Sequence, residues 1–233
     1  MRWLIVSLEA PLASFGEAAG NAQRGTAMRP TRSALIGLAG AALGILRDDA
    51  ADQEKLSSSF TTATRTLDAG HLMRDFHTYQ SVPQAKGIFS TRAKALASGE
   101  AVTSITEREY RCDGKWQAAF GEKSDAGFKL EELSQAFSQP YFSLWLGRKS
   151  CPLSRPLGAM IVDHEILEVA FDEHAKHWQL EIKNGARTLI ATDVQPKTKS
   201  LQRKRMDEPR DRKVWTFAAR DEWEFMTGGT HES

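Results

Sequence analysis

The sequence predicts an α+β fold built on a ferredoxin-like unit, which is the topology of the RRM. Two observations carry this prediction. Strand-like and helix-like segments follow one another in the order β-α-β, then an insertion without a clear apolar period, then β-α-β again. The chain has 233 residues, of which 41% are hydrophobic, which is enough for a core in one large domain or two small ones.

The first predicted element is a strand within residues 1–12. Its apolar run is interrupted by Ser7 and Glu9, so it lacks the long apolar region and the small-residue cleavage site of an export signal. The two cysteines, Cys112 and Cys151, form no CxxC motif and fit reduced thiols in a cytoplasm. We therefore expect a cytoplasmic protein without a membrane partner.

A helix is predicted over residues 31–46, because Pro30 disfavours helix at the residue before it and Thr31 or Ser33 can cap the new helix. Its apolar run of 13 residues is shorter than the roughly 20 that span a bilayer. Three glycines, spaced three and four residues apart, place a small-residue stripe on one side of it: Gly37, Gly40 and Gly44. The spacing matches neither a P-loop nor a dinucleotide motif, and it predicts close packing against a sheet or another helix.

Residues 61–70 and 71–80 are rich in β-forming side chains and follow the helix as strands. Residues 81–99 contain a proline, two glycines and three basic side chains, which indicates an extended insertion or arm. Residues 103–121 alternate in polarity and predict a hairpin that turns at Asp113-Gly114.

An amphipathic helix within residues 128–137 and a buried strand within residues 140–147 complete the second half. Further strand signals occur at residues 159–171 and 177–182. The predicted division is an RRM-like domain of residues 1–78 plus 104–147, an arm of residues 79–103, and a small β-rich C-terminal domain of residues 148–233.

The charge balance excludes little, since 31 basic residues face 30 acidic ones. Residues 197–213 hold eight basic and three acidic side chains, which predicts a solvated, partly mobile loop or a contact for a partner protein or DNA. His174 and His177 lie beside Glu173, but without a third clustered ligand they indicate a polar surface turn. We expect no metal site and no cofactor.

Arg24, Arg29 and Arg32 cluster around the predicted start of the helix. The N-terminal end of a helix attracts anions and disfavours cations, so arginines gathered there point to a phosphate-bearing partner. Basic residues also alternate with stacking groups and hydroxyls elsewhere, as single-stranded RNA binding requires, although a sheet surface without function has similar features. The predicted RNA-binding residues are Arg24, Arg29, Arg32, Ser33, Arg47, His77, Arg108, Tyr110, Arg111, Arg148, Lys149 and Ser150.

A catalytic alternative uses His71, His77, Tyr79 and Lys86. Cleavage of RNA by general acid–base chemistry needs no metal, only a base near the 2′-hydroxyl and an acid near the leaving oxygen. These side chains could fill both roles if the fold brought them into one pocket.

Several segments resemble the CasD family, which supplies the subunit that binds the crRNA 5′ handle in the type I-E CRISPR Cascade complex. They are "PTRSALIGLAGAALGILRDD", "RDFHTYQ", "ITEREYRCDG", "PYFSLWLGRKSCPLSRPL" and "DEPRDRKVWTFAARDEWEFMTGG". The resemblance runs in register over essentially the whole chain.

This resemblance implies an RRM-like domain, a β-hairpin thumb around residues 81–99 and a small C-terminal domain. It also implies a non-catalytic subunit in antiviral defence that caps the guide RNA and contacts the CasC backbone subunit, the large CasA subunit and other Cascade subunits, and target DNA only indirectly. A relative in type I-C systems cleaves precursor RNA, whereas in type I-E systems CasE does so. The hypotheses are therefore an RNA-binding subunit, a metal-independent endoribonuclease that processes repeat RNA, and a purely structural interaction module.

Overall fold

The computed structural model describes residues 1–16, 23–83, 86–182, 187–212, 214 and 216–227. Within these residues, nine strands join one sheet and five α-helices accompany it. The strands are β1 (Arg2–Ala13), β2 (Gln23–Arg24), β3 (Phe60–Asp68), β4 (His71–Ser81), β5 (Val102–Glu122), β6 (Met160–Asp163), β7 (Leu189–Thr192), β8 (Leu201–Asp211) and β9 (Thr216–Met226). The helices are α1 (Arg32–Leu43), α2 (Ala50–Ser59), α3 (Arg92–Ala97), α4 (Leu130–Ser138) and α5 (Leu167–His177). None of them is long and apolar enough to cross a membrane.

The sheet has the order β6-β1-β5-β3-β7-β9-β8, and each of these neighbours pairs antiparallel. Both faces of its centre are covered. Alternate side chains of β1 enter two separate cores, so Leu4 packs among residues of α1 and α4, and Ile5 packs with Phe171 of α5. The predicted α+β class is therefore confirmed as a mixed α/β fold with a large antiparallel sheet.

The predicted helix after Pro30 is confirmed as α1, with Thr31 as its N-cap. The Thr31 hydroxyl accepts a hydrogen bond from the backbone N–H of Ala34 at 3.3 Å. Gly44 ends the helix in a left-handed conformation with φ 77°. Gly40 packs closely against Leu56 of α2, since a Cβ at this position would lie 3.3 Å from the Leu56 Cδ2, as expected of a small-residue stripe.

The predicted hairpin at Asp113-Gly114 is wrong, because β5 continues through this dipeptide as one strand of 21 residues. Asp113 adopts φ 57° within the strand, while the pairing of β1 with β5 keeps its register from Leu12↔Cys112 to Ala10↔Gly114. β3 and β4 both pair antiparallel with β5, so the chain continues in one direction through Gly70, which has φ 65°, and reverses only in the connection between β4 and β5. Asp-Gly permits a positive φ, and here the long pairing with β1 holds the strand together across it.

A long hairpin of β4 and β5, paired from His71↔Cys112 to Ser81↔Val102, leads into the predicted arm of residues 79–103. The short helix α3 lies in the connection between the two strands. The hairpin extends beyond β3, which pairs with the other half of β5.

The predicted strand at residues 140–147 is wrong, since this segment forms only an isolated bridge between Trp145 and Pro152. The backbone N–H groups of Tyr141 and Phe142 instead donate to Ala42 and Ala41 carbonyls at the end of α1. The fourth strand of the central unit is β6, which pairs with β1.

The C-terminal third adds strands to both sides of the same sheet, with β6 beside β1 and β7 beside β3. The strand signal at residues 159–171 corresponds to β6 followed by α5, and residues 177–182 form no strand. The expected loop at residues 197–213 is mostly β8, which pairs antiparallel with β9. Acidic side chains on β9 form ion pairs with the basic side chains of β8, as between Arg203 and Glu224 at 3.1 Å. Because these ion pairs neutralise the charge of β8, so basic a segment can form a strand.

Candidate nucleic-acid interface

Arg29 and Arg32, which the sequence placed at a phosphate site, are buried. The Arg29 guanidinium donates to the carboxylates of Glu222 and, at 2.6 Å, of Glu224 on β9. Burial lowers the pKa of Arg29, and the neighbouring carboxylates more than offset this, so that the net shift is upward. The guanidinium of Arg29 therefore stays charged without any outside anion.

Arg32 is committed inside the molecule in the same way. It binds Glu208 of β8 at 2.6 Å and Asp193 at 2.8 Å, and it donates to the Ser57 carbonyl at 2.7 Å and the Phe60 carbonyl at 3.1 Å. The expectation that Arg29 and Arg32 contact phosphate is corrected by these partners, since the anions that balance the two arginines are carboxylates of this chain. Their role is to hold the β8–β9 hairpin against the start of α1.

A second group of predicted residues meets on one face of the β4–β5 hairpin. Arg24 on β2 lies directly opposite Arg108 on β5, and directly opposed residues project to the same side of a sheet. Tyr110 follows Arg108 by two positions and shares this side. The guanidinium of Arg148 lies over the Tyr110 ring, 4.6 Å from its centroid. We call Arg24, Arg108, Tyr110 and Arg148 the cationic face.

The arginines of the cationic face differ from Arg29 and Arg32 in their partners. Within the described residues, no carboxylate lies within 4.0 Å of the guanidinium groups of Arg24, Arg108 or Arg148. The Nε of Arg108 and the Nη1 of Arg148 are buried and have no hydrogen-bond acceptor. Asp75, opposite Arg108, instead lies against His77, with its Oδ2 2.7 Å from the His77 Nε2. Unused donors on clustered guanidinium groups are what an incoming phosphate requires.

The Arg148 side chain is presented by a tight loop. Gly147 has φ 89°, and a Cβ there would lie 1.7 Å from the Ser14 carbonyl oxygen, so only glycine fits. Backbone bonds from Leu146 to the Cys151 carbonyl and from Cys151 to the Arg148 carbonyl close the loop. Burial raises the pKa of the Cys151 thiol. The loop leaves Lys149 and Ser150 exposed beside Arg148.

The other predicted RNA-binding residues lie outside the cationic face. Arg111 projects to the opposite side of β5, as its position next to Tyr110 requires. His77 shares the side of Arg108 but lies further along the arm. Ser33 and Arg47 lie on a separate cleft beside α1, where the Ser33 carbonyl accepts a hydrogen bond from Arg212 and Arg47 donates to the Arg212 carbonyl.

The proposed catalytic group is dispersed. His71 and His77 are six residues apart on β4, which separates their Cα atoms by about 20 Å. Lys86 pairs with Glu100 at 3.2 Å. Only His77 and Tyr79 share one region of the strand. Among the residues the structure describes, no cluster of three or more histidine, cysteine or acidic side chains could hold a metal ion.

Sequence reasoning missed Arg212 as a separate functional candidate. Its side chain lines the cleft beside α1, and its Nη2 donates to the Ser33 carbonyl at 2.9 Å. The only sequence signal was its place in the basic segment at residues 197–213, which does not distinguish it from its neighbours.

These features define a class of protein: a mixed α/β protein with one large antiparallel sheet, an arm, and a cationic face with unused arginine donors. Comparison of the sequence with known protein families identifies the family within this class. The family described as CRISPR-associated protein (Cas_Cas5) matches residues 3–221. The chain belongs to this family.

Individual relatives agree with the family. The Cascade subunit CasD of Escherichia coli (strain K12) is 35% identical over 163 residues, which make up 66% of this chain and 69% of CasD. A chain of a CRISPR RNA-guided surveillance complex has the same fold with a TM-score of 0.66 and 22% identity, covering 97% of this chain and 90% of that one. The crystal structure of a Cas protein gives a TM-score of 0.63 at 23% identity, covering 96% and 94%.

Proposed function

We propose that this chain is the RNA-binding subunit of a type I-E Cascade surveillance complex, where it caps the 5′ handle of the crRNA without cutting it. Membership of the Cas5 family and the similarity to the Cascade subunit CasD support the assembly. The observation that carries RNA binding is the cationic face, where Arg148 covers the buried Tyr110 ring and the guanidinium groups of Arg148 and Arg108 have donors without acceptors.

The physical basis is a combination of charge and stacking. Each guanidinium can donate two parallel hydrogen bonds to a phosphate, and within the described residues the Nε of Arg108 and the Nη1 of Arg148 have no acceptor. Bases of a single strand stack on aromatic rings and on guanidinium planes. The Arg148–Tyr110 pair offers such a plane without any dependence on base identity.

The central unit supports the ferredoxin-like, RRM-type topology that we propose for it. Its elements follow in the order β1-α1-β3-β5-α4-β6, and its strands lie side by side as β6-β1-β5-β3. We retain the arm and the C-terminal third as the other two parts of the proposed division, although their strands share one sheet with the central unit.

The arm fits the proposed contact with the CasC backbone and the large CasA subunit. Leu72, Phe76 and Ile105 are more than half exposed and lie on the paired strands β4 and β5 that lead into it. Apolar side chains presented on a projecting hairpin are suited to burial in a protein interface.

The test is to incubate the purified chain with labelled RNA of its own CRISPR repeat, with and without EDTA, and to follow both binding and cleavage. We expect a shifted complex and an intact RNA in both conditions. Cleavage that persists in EDTA would instead establish a metal-independent endoribonuclease, and neither binding nor cleavage would establish a purely structural module.

A further inference from the structure

A cleft of about 850 Å³ lies between α1 and the β8–β9 hairpin. One wall is the small-residue side of α1, including Ala34 and Gly37. The opposite wall contains Arg212 and Phe217. Aromatic side chains of the loop after α4, Phe142 and Trp145, line the same space.

We propose that this cleft holds one nucleotide of single-stranded RNA, with its phosphate on Arg212 and its base beside the aromatic side chains. The proposal rests on the RNA-binding function inferred above and adds a second, separate anion site to it. The C-terminal hairpin then forms part of the RNA-binding surface.

The state of Arg212 is the main reason. Its Nε is buried without an acceptor, and within the described residues no carboxylate pairs with its guanidinium. Asp207, the acidic side chain of the cleft, is already bound to Arg220 at 2.7 Å and to the backbone N–H of Arg32 at 2.9 Å. A cation in this position lacks the counter-charge that Arg29 and Arg32 find inside the molecule.

The surroundings of Arg212 increase its need for an anion. Burial lowers its pKa, and the charge of Arg47 lowers it further. The guanidinium also lies beside the first turn of α1, which contains no acidic residue. A phosphate would offset each of these unfavourable interactions.

Gly37 lets the guanidinium approach the helix. A Cβ at this position would lie 3.2 Å from the Arg212 Nη1, so a larger side chain would push the guanidinium away. Packing between α1 and α2 accounts for Gly40 but not for Gly37. The contact with Arg212 gives a reason for glycine at position 37.

The cleft is continuous with the cationic face. Ser14 and Gly147 border the cleft, and Gly147 immediately precedes Arg148. The Ser14 hydroxyl donates to the Glu109 carbonyl, next to Tyr110. A strand that crosses Arg148 and Tyr110 can therefore pass directly into the cleft.

The experiment compares Arg212→Ala with Arg210→Ala in binding of labelled repeat RNA over a series of salt concentrations. Arg210 is an exposed arginine of the same hairpin outside the cleft, so both variants lose one charge. We expect Arg212→Ala to bind about tenfold more weakly, as the loss of one charge-assisted hydrogen bond implies. Its salt slope should fall by about 0.7, the value of one phosphate contact on a single strand. Arg210→Ala should stay within about twofold of the parent chain.

Further measurements separate a binding role from a structural one. Arg212→Lys should keep the salt slope and lose part of the affinity, because lysine retains the charge without the paired donors. Repeat RNA containing 4-thiouridine should crosslink to the peptides that hold Trp145 or Phe217. If Arg212→Ala binds RNA as the parent chain does, or if the crosslinks are confined to other peptides, the proposed nucleotide site in the cleft is wrong. Neither result would affect the assignment of the cationic face. If Arg108→Ala and Arg148→Ala also bind as the parent chain does, the assignment of the cationic face fails as well, whereas a parent chain that does not bind repeat RNA would overturn the proposed function itself.

Discussion

Arg32 and Arg148 illustrate how the surroundings decide what an arginine does. Both were predicted to bind phosphate, yet Arg32 is 3% exposed and is held by Asp193 and Glu208, whereas Arg148 covers a tyrosine ring and has a buried donor without an acceptor. The first guanidinium is balanced by its own chain. The second is available to a ligand.

The same reasoning gives a prediction for Arg32→Met. Removal of one partner from a buried ion pair leaves the other charge without compensation, and we expect the free energy of unfolding to fall by about 3–5 kcal/mol. The control is Arg203→Met, which removes an arginine that is 55% exposed from an ion pair on the same hairpin. Its cost should stay under about 1 kcal/mol.

Denaturant unfolding of both variants measures the difference. An Arg32→Met variant as stable as the parent chain, but weaker in RNA binding, would restore the phosphate-binding interpretation of this residue.

The buried environment of His174 on α5 leads to a second testable prediction at the residue scale. Its Nε2–H donates to the Gly158 carbonyl at 2.9 Å, and its Nδ1 accepts from the Gln117 amide at 2.9 Å. Gln117 also donates through the same nitrogen to the Phe171 carbonyl, which fixes the amide orientation. Burial lowers the pKa of His174 to about 4.

We therefore predict that stability falls as the pH drops from about 6.5, the ordinary histidine pKa, towards 4. In this window the unfolded chain binds a proton that the folded chain excludes, which costs the folded state about 3 kcal/mol in total. His174→Gln should lose this part of the pH dependence, whereas His71→Gln, at an exposed histidine, should retain it. Equal pH profiles for the two variants in chemical denaturation would contradict the assignment.

At the scale of helices and strands, sequence patterns correctly predicted the elements that interactions between nearby residues determine. α1 was predicted with Thr31 or Ser33 as its cap, and the segment of α4 was predicted from its amphipathic period, because capping and apolar spacing act within a few residues. The Asp113-Gly114 turn was wrong, since the pairing of β5 with β1 outweighs the local preference for a turn.

The prediction for β8 failed for a similar reason, because the ion-pair partners of its charged side chains are distant in sequence. A run of cations predicts a solvated loop when the residues that neutralise it are unknown, and here acidic side chains on β9 neutralise Arg203 and Lys204. Ion pairs between distant segments cannot be predicted when each segment of the sequence is analysed separately. This also explains why Arg29 and Arg32 were predicted as ligands and Arg212 was not.

At the scale of the whole molecule, the fold brings three separate parts of the sequence together in the cationic face. β2, the middle of β5 and the loop after α4 supply Arg24, Arg108 with Tyr110, and Arg148. The buried arginines hold the β8–β9 hairpin in place beside α1, which keeps the cleft formed. Interior and exposed cations thus have complementary roles in the same protein.

The most direct measurement is the salt dependence of repeat-RNA binding by the double variant Arg108→Ala/Arg148→Ala. Loss of two phosphate contacts predicts a slope lower by about 1.4, with weaker binding at every salt concentration. The matched control is Arg2→Ala, an exposed arginine at the far end of β1, which should keep the parent slope. A double variant whose slope and affinity equal those of Arg2→Ala would contradict the assignment of the cationic face to RNA.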